Sequence, residues 1–101
     1  MLDITQVRDI AEEVVRARLG TQLVEDVYAE PATDWTGDDA LDVWVVIRPH
    51  AMREITKERK LGPTLIALSD RLVELGDMRF PFIAYMTRAE HQAKTRAKSK
   101  S

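Results

Sequence analysis

Apolar positions recur at helical spacing in two stretches of the chain and alternate in three others. Between Ile4 and Leu19, the residues Ile4, Val7, Ile10, Ala11, Val14 and Val15 fall on one stripe, which predicts an amphipathic helix. Asp3 stands where a helix N-cap belongs, and Gln6 follows at capping-box spacing. Gly20 offers a left-handed stop. The opposite side of this helix, Arg8, Asp9, Glu12, Glu13 and Arg16, reads as solvated surface. A second helix is expected from Pro63 in its first turn through Leu65, Ile66, Leu68, Leu72, Val73 and Leu75, closed by Gly76.

Residues 22–30 alternate, with Leu23, Val27 and Ala29 on one side and Val24, Asp26 and Tyr28 on the other, so a half-buried strand ending at Pro31 is expected. Residues 40–48 place Leu41, Val43, Val45 and Ile47 on one face and Asp42, Trp44, Val46 and Arg48 on the other. Both faces are apolar at mid-strand, which suits the centre of a sheet or a strand whose second face is covered. The intervening segment, with Thr33, Asp34, Thr36, Gly37 and Asp38, has loop composition and is too short for a crossover helix, so the two strands should be antiparallel neighbours. Residues 79–87 read as a third strand, with Pro81 tolerated near its start or at an edge. Residues 50–61 are weakly patterned, with one short helical turn expected near 53–58.

The order α-β-β-α-β predicts an α+β domain in which two helices pack on one face of a three-stranded sheet. Its core should hold Val7, Ile10, Val14, Val43, Val45, Ile47, Leu65, Leu68, Leu72, Leu75 and Phe82. At 101 residues and 45% hydrophobic side chains, one globular domain over 1–90 is expected. Four of the 15 basic residues but only one of the 17 acidic ones lie in 90–101, which leaves the rest of the chain at −5. The basic stretch 91–101 has no apolar side chain larger than alanine to offset its ordering entropy and reads as a disordered tail. The chain has no cysteine, which removes disulfides and thiol chemistry. No secretory signal and no membrane-length apolar run are present, so a cytoplasmic protein is expected.

Asp34, Asp38, Asp39 and Asp42 fall close together, and hard divalent cations take carboxylate oxygens. Asp38, Asp39 and Asp42, with His50 as a further ligand, are therefore the metal candidates. Phosphoryl transfer also needs a phosphate-cradling backbone and a further acid or base, neither of which is evident here. His50 and His91 lack a second ligand at metal spacing. Tyr28, Trp44, Val46, Ile83 and Tyr85 are expected to form an uncovered apolar sheet face of the kind interfaces use. Lys94, Arg96, Lys98 and Lys100 are the candidate nucleic-acid contacts, of the nonspecific phosphate type.

The stretch Asp39-Ala40-Leu41-Asp42-Val43-Trp44-Val45 resembles the second strand of the minimal nucleotidyltransferase fold found in small bacterial antitoxin-like proteins. There a Ser-Asp-x-Asp pattern precedes a hydrophobic run, and Asp42 matches the second metal-binding aspartate. Residues 65–75 followed by 80–87 resemble the family's closing helix and strand. Ala40 occupies the place of the first aspartate, no Gly-Ser pair follows the first strand, and the third strand lacks the family's last carboxylate. The resemblance thus implies a degenerate, catalytically inactive copy.

The expected function is a noncatalytic protein-interaction module, an antitoxin-like or accessory subunit, with a protein partner or a second copy of itself and no cofactor. The alternatives are a metal-dependent nucleotidyl- or phosphoryl-transfer enzyme using the aspartate cluster, and a nucleic-acid-binding accessory protein acting through its tail.

Overall fold

The first helix, α1 (Ile4–Leu19), begins where its cap directs it. The Asp3 carboxylate accepts the Gln6 N–H at 2.9 Å, and the Gln6 side chain accepts the Asp3 N–H at 3.1 Å. A computed structural model describes residues 1–99 of the chain, with side-chain surroundings described through Arg96. After α1 come β1 (Val24–Thr33), β2 (Asp39–Ile47), α2 (Ala51–Lys57), α3 (Leu61–Glu74), β3 (Phe80–Thr87) and α4 (Arg88–Ser99).

The sheet order is β1-β2-β3. The first pair is antiparallel and the second parallel. A parallel neighbour requires a crossover, which α2 and α3 supply between β2 and β3. The core lies on the face they share with α1, where Val7, Ala11, Val15 and Leu19 meet Val43, Val45 and Ile47 of β2 and Leu68 and Leu72 of α3. The four α1 residues recur every fourth position, so a single row of that helix is fully buried, flanked by half-buried Ile10 and Val14. The short turn expected near 53–58 is α2, anchored by buried Ala51 and Ile55. It stops at Arg59, whose left-handed backbone (φ 55°) lets the Lys60 N–H reach back to the Ile55 carbonyl at 3.1 Å.

The fold class follows the expectation, while several local assignments differ. Strand β1 passes through Pro31 to Thr33, because it is an edge strand and the missing N–H leaves no gap in the ladder with β2. A bulge between Val24 and Asp26 shifts the pairing register. Val24 thereby joins Val27 in the core instead of lying with Tyr28 on the far face. The charged side of α1 is not simply solvated. It runs beside β1, where the Arg8 Nε–H donates to the Val27 carbonyl at 3.2 Å and Arg16 donates to the Val24 carbonyl at 2.8 Å. Glu12 sits between the two arginines and accepts from both.

Leu75 follows the last turn of α3 and is exposed, and Phe82 faces away from the core. Residues 88–99 form a helix where a disordered tail was expected for 91–101. The helix is held without large apolar side chains: His91 stacks on Tyr28 with ring centres 4.4 Å apart, and the Lys94 ammonium lies over Trp44. No described helix is long and apolar enough to cross a membrane.

Candidate functional site

Strand pairing determines which residues share the sheet face opposite the core. Tyr28 pairs with Trp44, and Trp44 with Ala84; Asp42 pairs with Phe82, and Ala40 with Phe80. Since alternate residues share a face, this surface carries Tyr28 from β1, Ala40, Asp42, Trp44 and Val46 from β2, and Phe80, Phe82, Ala84 and Met86 from β3. Of the five residues expected to form an open patch, Tyr28, Trp44 and Val46 do share this face. Ile83 and Tyr85 do not: they pair with Val43 and Val45 and pack against the core. Every residue of β3 from Phe80 to Met86 is apolar, so its sequence carries no alternation to show which half faces inward. Tyr85 is a consequence of that placement: its hydroxyl is shut off from water without a hydrogen-bond partner, and burial pushes its pKa up to about 12.

The three residues that do come together are covered. Helix α4 crosses them, His91 stacking on Tyr28 and the Lys94 Nζ lying 3.4 Å from the Trp44 ring centre, while Val46 is fully buried. Tyr28 is itself held from below, its hydroxyl donating to Asp26 at 2.9 Å. Burial would raise the Asp26 carboxyl, but the Val27 N–H, the Tyr28 hydroxyl and Arg8 outweigh it and hold the group below its ordinary value.

At the other end of the same face the sheet is open. Phe80 and Phe82 remain 45% and 44% exposed and meet edge to face, with ring centres 5.0 Å apart. The turn between β1 and β2 lies at this end and carries Trp35, which is 94% exposed. The indole is exposed, and the backbone that carries it is closed by hydrogen bonds. The Asp34 carboxylate accepts the Thr36 N–H at 2.9 Å, the Thr36 hydroxyl at 2.6 Å and the Asp38 N–H at 3.0 Å. Main-chain bonds from Gly37 to Asp34 and from Asp34 to Asp38 close the loop. Gly37 has φ 90°, a left-handed conformation that favours glycine. The Thr36 hydroxyl, with the backbone donors, holds the Asp34 carboxyl below the usual carboxylate range.

Beneath this end lies a buried ion pair that the sequence did not announce. Asp77 is fully buried, and Arg79 donates to it at 2.7 Å. Arg79 also donates to the Leu2 carbonyl at 2.9 Å, while the Leu2 N–H donates to Asp77 at 3.3 Å. The pair thus ties the N-terminal segment to the start of β3. The Arg79 side chain and its backbone N–H, together with the Leu2 N–H, pull the Asp77 pKa down to about 2 despite burial.

The aspartate cluster is dispersed by the same geometry. Asp38 lies 3.2 Å from the Thr36 hydroxyl within the turn, whereas Asp39 and Asp42, three positions apart on one strand, project from opposite faces. His50 occupies the N-cap position of α2 without a side-chain capping bond and is exposed. Among the described residues, no three His, Cys, Asp or Glu side chains converge as metal ligands. Of the candidate nucleic-acid contacts, Lys94 is engaged with Trp44, and Arg96 is exposed. Lys98 and Lys100 lie outside the residues whose side chains are described.

Comparison with protein-family models, curated proteins and solved structures finds no match for the chain. Its surface therefore has to be read on its own chemistry. The sequence offered one signal for the open end: a tryptophan among Asp, Thr and Gly, in a loop that has no core to receive it.

Proposed function

We propose that this chain is a noncatalytic protein-interaction module that holds its partner at the sheet end formed by Trp35, Phe80 and Phe82. One observation carries the reading: a 94% exposed indole on a turn fixed by three bonds to the Asp34 carboxylate. Tryptophan is enriched among the residues that dominate binding energy, and an anchor already held in place loses less entropy when it docks. Phe80 and Phe82 extend the apolar surface at the same end, and Asp38 in the turn and Asp42 beside Phe82 add carboxylates at its border. An apolar centre with a polar rim is the usual anatomy of a protein interface.

The noncatalytic part of the reading is supported by the scatter of Asp38, Asp39 and Asp42 and by Ala40, which stands on the face of Asp42 where the resembling family carries its first aspartate. An antitoxin-like or accessory subunit of the cytoplasm, bound to a larger catalytic partner, fits this combination. The test is affinity capture from the cells that encode the chain. Wild type should recover a stoichiometric partner, and Trp35→Ala and Phe80→Ser should lose it while keeping their circular dichroism. Recovery of the same partner by both variants would place the interface elsewhere.

A further inference from the structure

The two edges of the sheet are treated differently. On β1, Arg8 and Arg16 occupy the carbonyls of Val27 and Val24, and Glu25, Asp26, Glu30 and Pro31 add charge and a missing donor. These are devices that stop another strand from pairing. On β3, eight residues long, there is no charged side chain. Helix α4 turns away from this edge, crossing toward Trp44 and Tyr28. A cleft of ≈ 280 Å³ runs along β3, walled by Leu61, Gly62, Leu65, Ile83 and Tyr85.

The outward main-chain groups can be assigned. The Thr87 N–H is bonded to the Glu90 carboxylate at 2.9 Å, and Pro81 has no N–H, so both belong to the row that does not face β2. By alternation Ile83 and Tyr85 are the other outward members. Their N–H and C=O groups form the free part of the edge.

We propose that this edge pairs with the β3 edge of a second copy of the chain, antiparallel about a two-fold axis at Ala84. In that register Ile83 of each chain faces Tyr85 of the other, and each pair exchanges two main-chain bonds. The register uses the outward N–H groups of both Ile83 and Tyr85 and sets Pro81 opposite Thr87, the two outward positions with no N–H left to donate. It also joins the two Leu61–Tyr85 clefts into one apolar interior. The arginine-blocked β1 edge explains why the occupant is β3 of the second copy: head-to-tail growth through β1 is closed off, so pairing ends at a dimer. This inference does not rest on the Trp35 surface, which lies on the turn beyond the Phe80 end of β3, whereas the pairing is centred on Ala84.

Analytical ultracentrifugation across a wide concentration range tests it, using the full chain and exposed Ala84 as the probe position. Ala84 of each copy meets its mate as a non-hydrogen-bonded pair, where side chains approach closely. Ala84→Lys and Ala84→Glu should each sediment at the mass of one chain with unchanged circular dichroism. An equal mixture of the two should return to twice that mass, as should wild type and Trp35→Ala. Wild type that stays at the mass of one chain at every concentration, or a dimer untouched by Ala84→Lys, would overturn the proposal.

Discussion

The Lys94 ammonium lies 3.4 Å from the ring centre of Trp44, and this contact divides the second sheet face into a covered half and an open one. A cation on an indole face is worth roughly 0.5–2 kcal/mol, the upper value applying where water is excluded. The stack of His91 on Tyr28 adds a second fixing point on the same helix. Helix α4 thereby takes from solvent the surface on which a partner would otherwise have been expected, leaving Trp35, Phe80 and Phe82 exposed.

Lys94→Ala combined with His91→Ala should release α4 from the sheet without unfolding the core, since neither residue belongs to the core cluster. In a Trp35→Phe background, where Trp44 is the sole indole, its emission should move to longer wavelength and its quenching by acrylamide should rise. Stability should fall by roughly 1–2 kcal/mol. Unchanged quenching would show that the two contacts do not hold the helix.

Asp77 makes stability depend on acid. Its carboxyl is held near 2 in the folded chain against an ordinary value of 3.8, so the folded form binds the proton less readily than the unfolded form. The stabilisation is therefore complete above about pH 4 and is lost as pH falls through about 2, a loss of about 2 kcal/mol from this one group. Asp77→Asn leaves Arg79 buried beside a neutral amide and should cost roughly 3 kcal/mol at neutral pH. Its urea midpoint should also fall less steeply between about pH 4 and about pH 2 than that of wild type. Equal slopes for the two proteins would remove Asp77 from the account of acid sensitivity.

Tyr85→Phe should stabilise the isolated chain. The Tyr85 hydroxyl is buried without a partner, and an unmade hydrogen bond costs about 1–3 kcal/mol, so removing the oxygen should raise the urea midpoint by the equivalent of about 1 kcal/mol. A lower midpoint would mean that the hydroxyl is bonded in solution.

Asp34→Ala should separate preorganisation from stability. The turn lies outside the core, so unfolding free energy should change by only about 1 kcal/mol or less. Partner affinity should fall more than that, because Trp35 must then be ordered on binding. Equal losses in stability and affinity would mean that the turn acts only through the fold.

The sequence made the helix-facing row of β2 and the cap of α1 plain, because each follows from a period or a fixed spacing: Leu41, Val43, Val45 and Ile47 alternate, and Asp3 precedes Gln6 by three. The facing of β3 was illegible for the opposite reason. In Phe80-Pro81-Phe82-Ile83-Ala84-Tyr85-Met86 both rows are apolar, and only the parallel register with β2 shows that Ile83 and Tyr85 turn inward while Phe80 and Phe82 turn out. The bulge at Val24 likewise depends on the partner strand. Helix α4 depends on Tyr28 and Trp44, more than forty residues upstream in sequence, and no local pattern signals it. Asp34 was legible as a turn former. That its bonds hold a tryptophan out in water was not, because exposure is a property of the assembled chain.

The most direct measurement is the fluorescence of Trp35 in a Trp44→Phe chain, recorded for the free protein and for the complex purified with its partner. The free chain should show the long-wavelength emission and easy quenching of an indole in water, and the complex should show a shift to shorter wavelength with quenching suppressed. An emission and quenching profile that stays the same in the complex would contradict the assignment of Trp35 as the anchor.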